Sequence, residues 1–82
     1  MDYIMSCSLQ LGERNVIFFR NIEIKDIEKI KKVKIKNKFY IVKSYSISYS
    51  ISDIKIIGIE LDTKDIFPED GGNLKVEMIY DS

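Results

Sequence analysis

Three groups of residues could do chemistry in this chain. Asp62, Asp65, Glu69 and Asp70 precede the pair Gly71-Gly72, and a hard cation such as Ca²⁺ or Mg²⁺ takes carboxylate oxygens of this kind. Their spacing does not match an EF-hand loop. The same segment reads equally as a solvated acidic turn or as a dock for a basic partner. Lys31, Lys32, Lys34, Lys36, Lys38 and Lys43 surround Phe39 and Tyr40. Lysines neutralise phosphates and aromatic rings stack on bases, so these lysines with Tyr40 form a candidate surface for single-stranded nucleic acid. Lysines alternating with Val33 and Ile35 also fit the solvated side of a hairpin, where they guard an edge against unwanted pairing. The third group is the ribbon Tyr45-Ser-Ile-Ser-Tyr-Ser-Ile-Ser52, in which Ser44, Ser46, Ser48, Ser50 and Ser52 alternate with tyrosine and isoleucine.

None of these groups is catalytic. The chain has no histidine, which removes the commonest general base and metal ligand. The lone Cys7 falls on the apolar side of an alternating segment, where cysteine behaves as a small hydrophobe. There is no phosphate-binding glycine loop, dinucleotide fingerprint or zinc spacing, and no serine has a basic partner placed by spacing. The chain reads as non-enzymatic, with no metal and no cofactor. One cysteine cannot form an internal disulfide. The first residues, MDYIMSCSL, lack a basic start followed by a long apolar stretch. Those features together predict a soluble, cytoplasmic protein.

The elements that must position these groups are strands. Isoleucine occurs sixteen times and alanine never in 82 residues, and β-branched and aromatic side chains suit a pleated, half-buried surface. Residues 3–11 alternate as one strand with Tyr3, Met5, Cys7, Leu9 and Leu11 on a shared face, followed by a four-residue loop, Gly12–Asn15. Val16–Ile22 form a second strand whose first half is apolar on both faces, as in a central strand or one with a covered outer face. Ile24, Ile27, Ile30 and Val33 recur every third residue, which predicts one short helix near residues 25–32 at most.

Residues 33–36 and 39–42 form a hairpin around Asn37-Lys38. A three-residue turn would align Phe39, Ile41, Tyr45, Ile47, Tyr49 and Ile51 on one face. A two-residue turn would instead put Tyr40 and Val42 beside Val33 and Ile35 and require a bulge near Lys43. The first arrangement is the expected one. Phe39–Ile51 drawn out straight would measure roughly 43 Å, more than so small a globule allows, so this strand must bend. Ile54–Leu61 is the next strand, with a bulge expected beside Gly58 where the apolar phase slips. Leu74–Tyr80 is the last. The sum is a single domain with a small antiparallel meander of about six strands, curled into a barrel or sandwich.

Charge is neutral in total but segregated. Residues 25–43 carry eight lysines against two acids, a net +6, and residues 60–82 carry seven acids against two lysines, a net −5. The two halves can attract each other, within one molecule or between subunits. The serine ribbon is uncharged and free of proline and glycine, the composition of strands that pair with copies of themselves. It is therefore expected to be paired on both sides, inside the sheet or across a subunit boundary. Its serines read either as a solvated outer face or as a self-association surface. The functional expectation is a small interaction protein binding another macromolecule, another protein foremost, and forming a homo-oligomer. An inhibitor or accessory factor of a phage or mobile element fits the size and the isoleucine and lysine bias. The alternatives are a nucleic-acid-binding barrel using the Lys29–Lys43 surface and an oligomer that sequesters a small anionic ligand.

Overall fold

Seven strands appear in the computed structural model, which describes residues 2–80. They are β1 (Asp2–Ile4), β2 (Cys7–Leu11), β3 (Arg14–Arg20), β4 (Ile30–Ile35), β5 (Lys38–Tyr49), β6 (Lys55–Leu61) and β7 (Lys75–Tyr80). They form one antiparallel sheet in the order β1-β7-β4-β5-β6-β3-β2. Its two outermost strands, β1 and β2, are consecutive in the chain. The sheet must therefore curl until its ends meet, and the result is a half-barrel around Ile17, Phe19, Val33, Ile57, Ile59, Leu61 and Val76, all fully buried. Asp81, part of the acidic half, lies outside the described residues.

The curl is made at two corners. At the first, Met5 N–H donates to the Leu74 carbonyl (2.9 Å) and Ser6 N–H to the Phe18 carbonyl (2.8 Å), so the chain leaves β7 and joins β3 within two residues. The single strand expected over residues 3–11 is thus two strands. The alternation slips at the break, because a shift of one residue turns every following side chain over. Tyr3 and Met5 pack on the core, Ser8 takes the next buried place, and Leu9 and Leu11 are exposed. Cys7, expected beside Met5, lies in register with Phe18 on the outer face.

The second corner is in β5. Residues 38–41 pair with β4, whereas Val42 and residues 44–49 pair with β6, and the register slips between Val42 and Ser44. The molecule measures 34 × 30 × 22 Å, so the long strand does bend, and it bends at Lys43. The expected three-residue hairpin turn is not what forms. Ile35 faces Lys38 across the two-residue turn Lys36-Asn37, with φ of 51° and 64°, the backbone of a type I′ turn. Tyr40 and Val42 therefore face the core side, and Phe39 and Ile41 face out. The extra residue at Lys43 then restores the phase, so that Tyr45 and Ile47 lie beside Ile59 and Ile57.

Other expectations need correction. No bulge occurs at Gly58, because β6 runs in unbroken register with β3 from Glu60 to Ile56. The loop expected at Gly12–Asn15 is a two-residue turn, since Leu11 faces Arg14. The helix reduces to one 3₁₀ turn at Ile27–Lys29. Ile24, Ile27, Ile30 and Val33 are nonetheless all buried; Ile30 and Val33 share a face of β4 because the register slips between Ile30 and Lys32.

The segregated charges meet within the molecule. Lys34 faces Glu77 across β4 and β7, Lys38 Nζ lies 2.7 Å from Asp65 Oδ2, and Lys43 Nζ lies 3.9 Å from Glu60 Oε2.

Gly71 marks how tightly the first corner is closed. It has φ +83°, and a Cβ there would overlap the Met5 carbonyl oxygen, whereas Gly12, with φ +59°, faces open space. Gly12→Ala should cost only the left-handed backbone penalty, about 1–2 kcal/mol, and Gly71→Ala distinctly more. Urea midpoints of the two variants check this; equal losses would mean that the corner is not closely packed.

Candidate functional site

The border of β5 beyond Lys43 is the feature that sets this surface apart. In an antiparallel ladder, alternate residues of a strand direct their N–H and C=O to one neighbour and the rest to the other side. Ser50 N–H donates to the Ile54 carbonyl. Ser48, Ser46 and Ser44 continue that phase opposite Ile56, Gly58 and Glu60. The backbones of Tyr45, Ile47 and Tyr49 consequently point away from β6. Past Ile41 no β4 residue pairs with this strand, and no other hydrogen bond reaches those three backbones among the described residues. The expectation that the ribbon has neighbours along both margins is overturned for the single molecule. β4 parts from β5 at the corner, and none of the described residues takes its place.

The opposite border of this half of the sheet is handled differently. Ser8 N–H donates to the Glu69 carbonyl, and Ser8 Oγ donates to the carbonyls of Phe67 and Pro68. The Asn15 side-chain amide donates to the Asp65 carbonyl. The 62–73 loop thus bonds to β2 at Ser8 and to β3 at Asn15. β5 has neither a covering loop nor a charge between residues 44 and 49 to deter pairing.

Each face of the open border has its own chemistry. Tyr45, Ile47 and Tyr49 stand on the core side of β6 yet remain 46%, 46% and 65% exposed, because the half-barrel does not close over them. Ser44, Ser46 and Ser48 lie on the outer face. The Phe18 ring lies so close over Gly58 that a Cβ there would stand 3.1 Å from it and 2.9 Å from Ser46 Oγ. Glycine at 58 and serine at 46 make room for that ring. Beside it, Leu9, Leu11, Val16 and Phe18 line a shallow apolar groove with Arg14 and Ser46 at its rim. Sequence reasoning missed this groove, because the slip at Met5–Ser6 had to be seen before Leu9 and Leu11 could be placed outside.

Glu60 fastens the start of the ribbon. Ser44 Oγ donates to its Oε1 (3.0 Å), and Arg14 Nη2 lies 3.2 Å from the same oxygen. These two hydrogen bonds, first Ser44 and then Arg14, hold its carboxyl below the usual glutamate range. Of the remaining serines, Ser50 Oγ accepts from the N–H groups of Ser52 and Ile54. Ser50 and Ser52 therefore belong to the turn after β5 rather than to its border.

The lysine group is not brought onto one surface. Lys32 and Lys34 share the outer face of β4 with Phe39 and Ile41, but Glu77 and Asp2 follow in the next two strands. Lys31 sits at a register slip, Lys36 in the hairpin turn, and Lys43 in the bulge. Tyr40 is buried, meets Phe67 edge-on, and donates its hydroxyl to Asp65 Oδ2 (2.7 Å). Burial, with the adjoining Asp65 carboxylate, pushes its phenol up to about 12. Asp65 is thus held by Lys38 and Tyr40, and Asp70 accepts from Gly72 N–H. Among the described residues no three acids, histidines or cysteines cluster as metal ligands, and no helix is long and apolar enough to cross a membrane. No family model, curated protein or solved structure matches the chain.

The Glu60 contacts fix a pH dependence. Because its carboxyl is held below 4.5 in the folded protein, the stability it supplies is present above that value and is lost as pH falls through the lowered one. Glu60→Gln should therefore flatten the decline of the urea midpoint between about pH 5 and pH 3. Parallel declines in the two proteins would show that Glu60 contributes nothing there.

Proposed function

We propose that this protein is a small non-enzymatic interaction protein that acts by binding another protein chain along the open border of β5. The observation that carries the reading is the row of free backbone groups at Tyr45, Ile47 and Tyr49 in a strand without charge or proline. An extended chain added there gains main-chain hydrogen bonds, and alternate side chains at its faces set the choice of partner. The Leu9–Phe18 groove lies on the outer face of the same half of the sheet and offers that partner a further apolar contact.

A second reading rests on Phe39, which is 58% exposed, with Lys34 Nζ 5.6 Å from its ring centroid. A basic group over an exposed ring suits stacking on a single-stranded base. The acids of β7 and β1 beside it and the burial of Tyr40 leave that reading the weaker of the two.

A border-blocking charge separates them. Ile47→Lys should weaken capture of the protein's partner at least about tenfold, the equivalent of ~1.4 kcal/mol, while a double Lys34→Glu, Phe39→Ala variant retains it. Amides of residues 45, 47 and 49, exchanging freely in the isolated molecule, should become protected in the complex. If Ile47→Lys binds as well as the parent and the double variant fails, the border is not the binding site. A salt-sensitive shift of a single-stranded oligonucleotide, lost only in the double variant, would establish the second reading instead.

A further inference from the structure

Residues 44–50 read Ser-Tyr-Ser-Ile-Ser-Tyr-Ser, the same in both directions about Ile47. We propose that the partner of the open β5 border is a second copy of this chain, paired antiparallel about a twofold axis through Ile47. This inference rests on reading that border as a site of strand addition and names what is added.

A palindrome has no consequence within one strand, but it has one across a twofold axis. An antiparallel pair centred on Ile47 sets Ile47 against Ile47 of the second copy, Tyr45 against Tyr49, Ser46 against Ser48, and Ser44 against Ser50. Every residue meets its own type. The backbone phase fits this centre. Tyr45, Ile47 and Tyr49 are the residues whose N–H and C=O point outward, so each facing pair among them exchanges both hydrogen bonds of a narrow antiparallel pair. Tyrosine and isoleucine pairs then stack on the core side of both molecules, where those side chains stand half exposed in one copy alone. Aromatic and β-branched cross-strand pairs are the ones that stabilise a ladder.

Neighbouring registers are worse for stated reasons. A centre on Ser46 brings Lys43 opposite Tyr49 and draws the bulge into the ladder. A centre on Ser48 sets Tyr45 opposite Ile51, which lies in the turn after the strand has ended at Tyr49. The Ile47 centre keeps both Lys43 and Ile51 out of the ladder, and only its outermost pair, Ser44 with Ser50, reaches the first residue of the turn. It also leaves the two Lys43 side chains at opposite ends of the ladder, beyond its paired residues. The net charge of zero sets up no long-range repulsion between copies. The contact is isologous, since the same patch serves both molecules, and it closes after two.

Sedimentation equilibrium and a site-directed crosslink test the two parts of the proposal. The parent should be a concentration-dependent dimer, and Ile47→Lys a monomer with an unchanged far-ultraviolet spectrum. Tyr49→Pro, which removes an N–H that points to the open border and none that bonds to β6, serves should that first variant not fold. In a Cys7→Ser background, Ile47→Cys should form a disulfide dimer under mild oxidation. Facing residues of a narrow pair have Cα atoms ~5.5 Å apart, within the ~4.4–6.8 Å that a disulfide spans. Tyr45→Cys should not crosslink, since its counterpart lies four residues along the ladder, ~13 Å away. A parent that stays monomeric at every concentration overturns the dimer but leaves strand addition by a different chain intact. A dimer that survives both border variants overturns its location. Equal crosslinking at 45 and 47 overturns the register.

Discussion

A strand too long for the molecule that contains it has to turn, and the turn at Lys43 governs the rest of this structure. Before it, β5 is the partner of β4 and contributes Tyr40 and Val42 to the core side. After it, β5 is the partner of β6 alone. The extra residue keeps the apolar phase facing inward on both sides of the corner, which an unbroken strand of this sequence could not do. Glu60 sits where that geometry is decided, tied to Ser44 and Arg14 with the Lys43 ammonium nearby. The corner also parts β5 from β4, so the free border is a direct result of the bend that closes the core.

The class of fold and most of its strands were legible because isoleucine, valine and tyrosine alternate wherever the sheet is regular. Legibility failed where one residue changes the phase. The slip at Met5–Ser6 leaves no trace in the pattern Tyr3, Met5, Cys7, Leu9, Leu11, which alternates straight through a corner made by contacts to Leu74 and Phe18. The Lys36-Asn37 turn was misplaced by one position because neither residue is a glycine, although asparagine tolerates the left-handed region. The alternative that required a bulge at Lys43 was the correct one. Gly58 gave a true signal with the wrong cause: it marks the close approach of the Phe18 ring rather than an extra residue. The ribbon itself was conspicuous in the sequence. Its border could not be read there, because whether β4 keeps pace with β5 is settled by the corner and not by composition.

Charge tells a similar story. The segregation into a basic and an acidic stretch looks in sequence like an invitation to an external partner. In the fold the stretches become neighbours, with Lys34 opposite Glu77 and Lys38 on Asp65. Exposed pairs of this kind add little stability each. Their effect is to leave the lysine-rich hairpin without a uniform field, which weakens any claim on nucleic acid and shifts attention to the uncharged strand.

A bare strand border in an uncharged segment is ordinarily a liability, because each added chain exposes a new border and growth continues. Pairing about a twofold axis escapes that outcome. Once two copies meet at Ile47, each has used the border it offered, and the β2 border at the far side of the same half-sheet is interrupted at Ser8 by its bonds to the 62–73 loop. A sequence that reads alike in both directions favours this closed arrangement over staggered ones, since any stagger trades like-with-like contacts for Lys43 or for Ile51 in the turn. The same absence of charge that makes the ribbon hazardous in isolation makes the symmetric pair uniform along its length. On that view the serines are there to keep the outer face thin, so that Phe18 can lie over Gly58 and the paired strands can approach without obstruction.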